Sequence, residues 1–278
     1  ADILNRLRTG QQTEADCEKL EGRVRLEGDK EVPDDALYIA GTNNFVNRIN
    51  NIRLENMEGE LFEFKANVSR SGKLLTRPPK TNNDGSIYNT PLQFSLQLKV
   101  GARVMLTYNV DVLDSLSNGA LGEVIGFDRC NGKIISIMIH FDNPKVGQEK
   151  RKKNPPRLQN QYQNAVPIVA MEFRFNMSKN PTSQNDFMLA TQFPLKLAFA
   201  CTAHKIQGST ILDPKKVVID LTSVREAAQG YVMMSRFQCL SQLFILENFP
   251  KAKVFPSDIA MKELHRLQEN CLNNKNQE

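Results

Sequence analysis

No apolar run in the 278 residues approaches the roughly 18 that a membrane span needs, so no membrane partner is expected. The given sequence also opens without the charged-then-apolar pattern of a secretory leader. There are five cysteines (Cys17, Cys130, Cys201, Cys239 and Cys271), scattered and never arranged as C-x-x-C. An odd, dispersed set argues for a reducing compartment and against a zinc site. No internal repeat is visible. No G-x-x-x-x-G-K-[ST] occurs and no apolar strand ends in Asp-Glu; Gly22 and Gly28 stand one residue too far apart and lead into Asp29. Without a phosphate cradle and a magnesium carboxylate, these residues alone are not expected to hydrolyse a nucleoside triphosphate. The sequence starts at Ala1 rather than Met, with ILNRL already helical in pattern, so a fragment is expected.

What is present is ordinary in bulk and uneven in detail. The chain is 40% hydrophobic and 24% charged, typical of a globular protein, and long enough for about two domains. Its formal charge is +5, yet residues 1–40 hold ten acidic and six basic side chains, so the positive excess lies in the remainder. A mildly basic body permits a nucleic-acid partner without requiring one.

The pattern along the chain alternates between two architectures. ADILNRLR reads as a helix closed by Gly10, and Thr13 caps a second helix carrying Glu14 and Asp16 in its first turn. Leu37 to Ala40 is a short apolar strand; Phe45, Val46, Ile49 and Ile52 then recur at helical spacing. Residues 66–90, rich in Ser, Asn, Pro and Gly, read as a loop or linker. A β-rich block follows. LKVGARVMLTYN, GEVIGFD, KIISIMIHF and IVAMEFRF are strand-like, with Asn131-Gly132 as a hairpin turn, which suggests a small barrel. In the basic EKRKKNPPRLQNQYQN, Pro155 and Pro156 are expected to forbid regular structure, and Lys150 to Lys153 read as a solvated run or a nuclear-import or DNA-contact patch. The final third returns to α/β: LKLAFA, KKVVIDL and SQLFILEN are apolar strands, VREAAQGYVMMSR a helix, and a last helix is capped by Ser257. The predicted fold class is therefore α/β, one parallel-sheet domain interrupted by an inserted barrel. The boundaries are 1–90 for the first part with its linker, 91–178 for the barrel and 179–278 for the remainder.

ACTAHKIQGST, residues 200–210, concentrates the chemistry. Thr202 follows an apolar strand and precedes a short helical stretch whose open amides form an anion site. Lys205 adds a point charge, Gln207 a donor and an acceptor, and Gly208 allows close backbone approach. The arrangement suits a phosphodiester or nucleotide phosphate at the carboxyl end of a sheet; the plainer alternative is a capped helix with a solvated lysine. Arg236 is a second candidate, either clamping a phosphate or pairing with a helix terminus. Cys201 and His204 have the order of a nucleophile and its base but lack an orienting third group. Asp220 reads as a strand-end residue, and His140 and His265 as structural.

In order, these motifs resemble one family. CTAHKIQGST resembles the fifth motif, and GYVMMSR the sixth, of the PIF-type DNA helicases, relatives of RecD in helicase superfamily one. LKVGARVMLTYNVDVLDSLSNGALGEVIGFD resembles the start of that family's inserted Src-homology-three-like (SH3-like) barrel, while ILNRLRTG and TNNFVNRIN resemble the opening of its second RecA-like domain. The resemblance implies the carboxyl-terminal half of an ATP-dependent 5′-to-3′ helicase: a RecA-like domain interrupted by an SH3-like barrel. It implies that Thr202, His204, Lys205 and Gln207 hold single-stranded DNA, that Gly208 and Ser209 face the nucleotide cleft, and that Arg236 is an arginine finger. ATP and Mg2+ would be held mainly by a missing amino-terminal RecA-like domain, itself a partner. A nuclear or otherwise intracellular setting, in DNA repair and recombination, goes with this reading. Ile206, Ala203 and the Met233-Met234 pair depart from the family's usual residues and leave the named donors intact. A second reading stays open: a non-catalytic module derived from a helicase, binding nucleic acid or protein without ATP.

Overall fold

The computed structural model describes residues 2–70, 72–176, 187–207, 210–226 and 228–251, together with 254, 256, 258–259, 261–263 and 266–267. The chain divides into two compact units, Ala1–Val46 with Cys201–Glu278, and Asn47–Ala200. No described helix is long and apolar enough to cross a membrane.

The first unit is α/β with a parallel sheet. Its strand order is Val24–Arg25, Leu243–Leu246, Val217–Asp220, Leu37–Ala40 and Ala200–Thr202, and the first four pair in parallel. LFIL, VVID and LYIA are buried at every position, as strands covered on both faces must be. The helices Asp2–Thr9 and Glu14–Glu21 lie where caps and periodicity place them, with Gly10 at φ +69 after the first and Thr13 capping the second. The two-residue edge strand at Val24 is too short to leave a period in the sequence. The Arg23 guanidinium, 5.0 Å from the Phe244 ring centroid and donating through Nε to the Leu243 carbonyl at 2.7 Å, flanks it. The helix expected from Val224 is shorter, Gln229–Met234, because Ala228 before it is left-handed at φ +63. The last expected helix, from Ser257, lies largely outside the described residues.

The second unit is β-rich. An antiparallel five-stranded sheet runs in the order Val166–Val169, Lys133–Phe141, Leu121–Cys130, Arg103–Leu106, Leu195–Leu197. Ile137, Ile139 and Phe141 alternate into a core with Val104, Leu106 and Leu195. Asn131 and Gly132, at φ +49 and +76, make the hairpin turn that their dipeptide predicts. A second sheet orders Met171–Phe175, Met188–Gln192, Asn67–Arg70 and Lys73–Leu74, and Phe62–Lys65 pairs with Ser95–Leu98.

Four expectations change here. The 66–90 linker is partly sheet: Val68 is buried with Ile87 and Leu92, so a few apolar residues among the turn formers are enough to pin it. IVAMEFRF breaks at Ala170 into two strands belonging to different sheets. LKLAFA also divides, Leu195–Leu197 joining the antiparallel sheet and Ala200–Thr202 the parallel one. The basic segment forms two short helices, Gln148–Lys152 and Pro156–Gln161. Pro156 occupies a first-turn position, where its missing N–H costs nothing. Asp114 accepts the N–H groups of Glu149 and Lys150 at 2.8 and 2.9 Å, which starts the earlier helix. Burial there pushes the Lys150 ammonium pKa down, while Asp111 and Asp114 pull it up.

Candidate functional site

The carboxyl ends of two parallel strands are drawn together by a close approach. Gly41, after Leu37–Ala40, donates its N–H to Ser223 Oγ at 2.7 Å, and a Cβ on it would lie 2.4 Å from the Ser223 carbonyl oxygen. Ser223 itself follows the Val217–Asp220 strand. The buried Asp220 carboxylate accepts from the Thr222 N–H at 2.9 Å, so it serves the turn rather than an external ligand.

Beside them, Ala200–Thr202 leads into one 3-10 turn, Ala203–Ile206. Positions three apart share a face in such a turn, and both Ala203 and Ile206 are buried. That leaves His204, Lys205 and Gln207 exposed on the other side. Thr202 is extended at its start and spends no hydroxyl hydrogen bond on capping it. Thr202, His204, Lys205 and Gln207 therefore gather at one turn, as their spacing predicts. Gly208 and Ser209 lie outside the described residues.

A cavity of about 180 Å³ lies between this turn and the Gln229–Met234 helix, lined by His204, Gln207, Glu226, Gln229 and Val232 among others. His204 Nε2 is 3.5 Å from Glu226 Oε2, both side chains mostly exposed, so the pair adds little stability. Gln229 is buried, its Oε1 accepting the Arg225 N–H at 3.1 Å. Met233 and Met234 sink completely into the core and anchor the helix that Ser235 and Arg236 follow. The Arg236 guanidinium donates through Nε to the Val232 carbonyl at 3.0 Å and through Nη2 to Ser235 Oγ at 2.7 Å. It is half-buried and held at the end of the helix that walls the cavity. Cys201 is fully buried and His204 exposed, which suits a structural thiol better than a nucleophile with its base.

Sequence reading missed two positioning residues. Asn50 is buried; its Nδ2 donates to the Ala200 carbonyl at 3.1 Å and its Oδ1 accepts the Ala200 N–H at 2.9 Å. This fixes the residue from which the turn departs. Its place in the Val46, Ile49, Leu54 stripe of the Asn43–Asn56 helix was a legible signal, a polar residue where an apolar one belongs. Gln242 is also fully buried. Its amide donates to the carbonyls of Ile211 and Lys215 and accepts from the N–H groups of Gln238 and Cys239. Ile211 in turn donates its N–H to the Arg236 carbonyl at 2.7 Å, pinning that backbone. Among the described residues no group of three or more His, Cys, Asp or Glu side chains could hold a metal ion.

Comparison with known proteins gives this geometry a context. Residues 87–127 match the family described as DNA helicase Pif1, 2B domain. The ATP-dependent DNA helicase Pif1 of Psychrobacter sp. (strain PRwf-1) is 30% identical over 233 residues, covering 76% of this chain and 33% of that protein. The Danio rerio ATP-dependent DNA helicase PIF1 is 34% identical over 170 residues, 61% of this chain and 22% of that one. The chain thus spans well under two thirds of the curated relatives it matches. In fold it is similar to the crystal structure of Pif1 helicase from Candida albicans, with a TM-score of 0.68 at 23% identity over 97% of this chain and 57% of that one. It is also similar to Bacteroides Pif1 bound to ssDNA, TM-score 0.65 at 22% identity over 97% and 53%. Together these matches relate the chain to the carboxyl-terminal portion of the PIF-type DNA helicases.

Proposed function

We propose that this chain is the carboxyl-terminal motor portion of an ATP-dependent 5′-to-3′ DNA helicase. The parallel-sheet unit is its second RecA-like domain, and the antiparallel five-stranded sheet is an SH3-like barrel inserted into it, falling mainly within 91–178. Thr202, His204, Lys205 and Gln207 hold the backbone of single-stranded DNA. Gly208, Ser209 and Arg236 face the nucleotide cleft. ATP and Mg2+ are held mainly by an amino-terminal RecA-like domain that these 278 residues do not include, in a protein of the nucleus or another intracellular compartment.

The observation that carries this reading is the 3-10 turn. It buries two residues and turns three donors outward, beside a cavity walled by the Gln229–Met234 helix, two residues before Arg236. The donor set is cationic and amidic, with no carboxylate group suited to a metal among the described residues. Such a set fits phosphate oxygens. The nucleotide, when bound, supplies the free energy of its γ-phosphoryl transfer. Arg236 would neutralise charge developing on that phosphate, its stem fixed by Val232 and Ser235. His204, Lys205 and Gln207 would bind the strand and pass their displacement through the Ala203–Ile206 turn to the helix that carries Arg236.

In the complete protein, Arg236→Ala should lower DNA-stimulated ATP turnover at least about 1,000-fold while strand binding persists. Steady-state ATPase assays beside fluorescence anisotropy of a labelled oligonucleotide measure both. Unchanged turnover would remove the finger assignment. A 278-residue chain that binds no oligonucleotide would return the strand-holding assignment to the non-catalytic alternative.

A further inference from the structure

The β-rich unit carries a second and larger recess, of about 560 Å³, within the usual size of small-ligand sites. Phe62, Phe127 and Tyr162 line it. The Phe62 and Phe127 ring centroids are 4.3 Å apart, and the Tyr162 hydroxyl donates to the Phe127 carbonyl at 3.2 Å. The Leu121–Cys130 strand is bulged beside it, its register shifting between Val124 and Gly126. Glycine is required there: a Cβ on Gly126 would lie 2.2 Å from the Tyr162 ring and push it away.

Two guanidinium groups also line the recess. Arg129 sits over the Phe62 ring at 5.5 Å and makes no ion pair among the described residues. Arg157 donates to Asp128 at 2.6 Å; the carboxylate side chain is only 5% exposed, whereas the arginine is 57% exposed. The buried acid therefore aims a cation that still meets solvent. Glu58 and Glu60, both exposed, complete the lining on either side of Gly59.

We propose that this recess receives one unstacked base of a single-stranded nucleic acid, with the adjoining phosphate against Arg129 and Arg157. Aromatic faces stack on any base, and arginine adds charge and a planar surface of its own. A carboxylate beside the base accepts from an exocyclic amine, as acidic side chains do from cytosine. Glu58 and Glu60 therefore favour cytosine over thymine, which has no such amine. A proline-rich peptide would also suit aromatic rings, but it gives the exposed Arg129 nothing to neutralise. The recess adds a binding point separate from the Thr202–Gln207 turn; it rests on the proposed function only in that its ligand is a nucleic-acid strand.

The chain contains no tryptophan, so Val100→Trp, at an exposed residue lining the recess, installs a single indole reporter. Octamers of deoxycytidine and of deoxythymidine are titrated against it, with total binding followed by anisotropy of a labelled strand. Saturable quenching is expected, tighter for the deoxycytidine octamer. Arg129→Glu in the same background should weaken it about five-fold or more without lowering Tm. A strand that binds by anisotropy while the indole stays silent overturns the recess and leaves the proposed function standing. No binding by either readout overturns both. Quenching by a peptide of proline and arginine, with none by the octamers, also overturns the proposal. If Val100→Trp does not fold, Arg129→Glu in the otherwise native chain decides the matter by anisotropy, and unchanged affinity for the deoxycytidine octamer overturns it.

Discussion

Asp16 occupies the third position of the Glu14–Glu21 helix, and nearly every lone pair of its carboxylate is engaged. Arg6 grips both oxygens, at 2.6 and 2.7 Å, and the Thr13 N–H donates to one of them at 3.0 Å. The Arg6 hydrogen bonds first, then that of the Thr13 backbone, hold its pKa well below the usual carboxylate range. A carboxyl depressed on folding stabilises the native state fully above its unfolded pKa of about 4, and the contribution is lost as pH falls below that value. Asp16→Asn removes the effect. The gap between native and variant urea midpoints should be wider at pH 7 than at pH 3; a gap independent of pH would show that Asp16 is not the source. Thr13 as the cap and Asp16 as a first-turn acid were plain in the sequence; that the two close a capping box is a finding of the structure. Arg6 as the partner of Asp16 was not plain, because nothing in a linear pattern shows that the first helix lies against the second.

At the scale of elements, Asn50 joins a helix to a strand by two hydrogen bonds in place of a longer interface. Replacing it with leucine would leave the Ala200 N–H and carbonyl buried without partners, at a cost of about 2–4 kcal/mol for the two groups. The expected fall in Tm is about 5–10 °C, together with weaker binding at the Ala203–Ile206 turn. Unchanged melting would mean that water or neighbouring groups satisfy both. Elements with strong periods were legible: the buried runs LYIA, VVID and LFIL, the Asn131-Gly132 hairpin, the Asn43–Asn56 helix and the turn after Thr202. Those that failed were decided by distant packing. LKLAFA reads as one strand because its apolar run is nearly continuous, and only the partners Arg103–Leu106 and Leu37–Ala40 show that it serves two sheets. Residues 66–90 read as linker because turn formers outnumber Val68, Ile87 and Leu92, the few residues that hold them. The recess at Phe62 was invisible for the same reason, since Phe62, Arg129 and Tyr162 lie up to 100 positions apart in the sequence.

For the whole molecule, the test is how its charge behaves towards a polyanion. A net charge of +5 on 278 residues is modest, with the excess outside the acidic first 40. Strand binding by such a chain has to come from a few placed cations rather than from a broad positive field. Lys205 is exposed on the turn, and Arg129 and Arg157 line the recess. Each phosphate neutralised on a single strand contributes about −0.7 to the slope of log affinity against log salt, so three contacts give a slope of about −2. Lys205→Ala should bring that slope towards about −1.4 while leaving the indole response at residue 100 in place. Arg129→Glu should reduce both. Oligonucleotide affinities measured between low and physiological salt separate the cases. Association that ignores salt, with neither substitution altering it, would point to a protein partner and to the non-catalytic reading. Quenching lost in the Arg129 variant and kept in the Lys205 variant would tie the indole signal to the recess rather than to the turn.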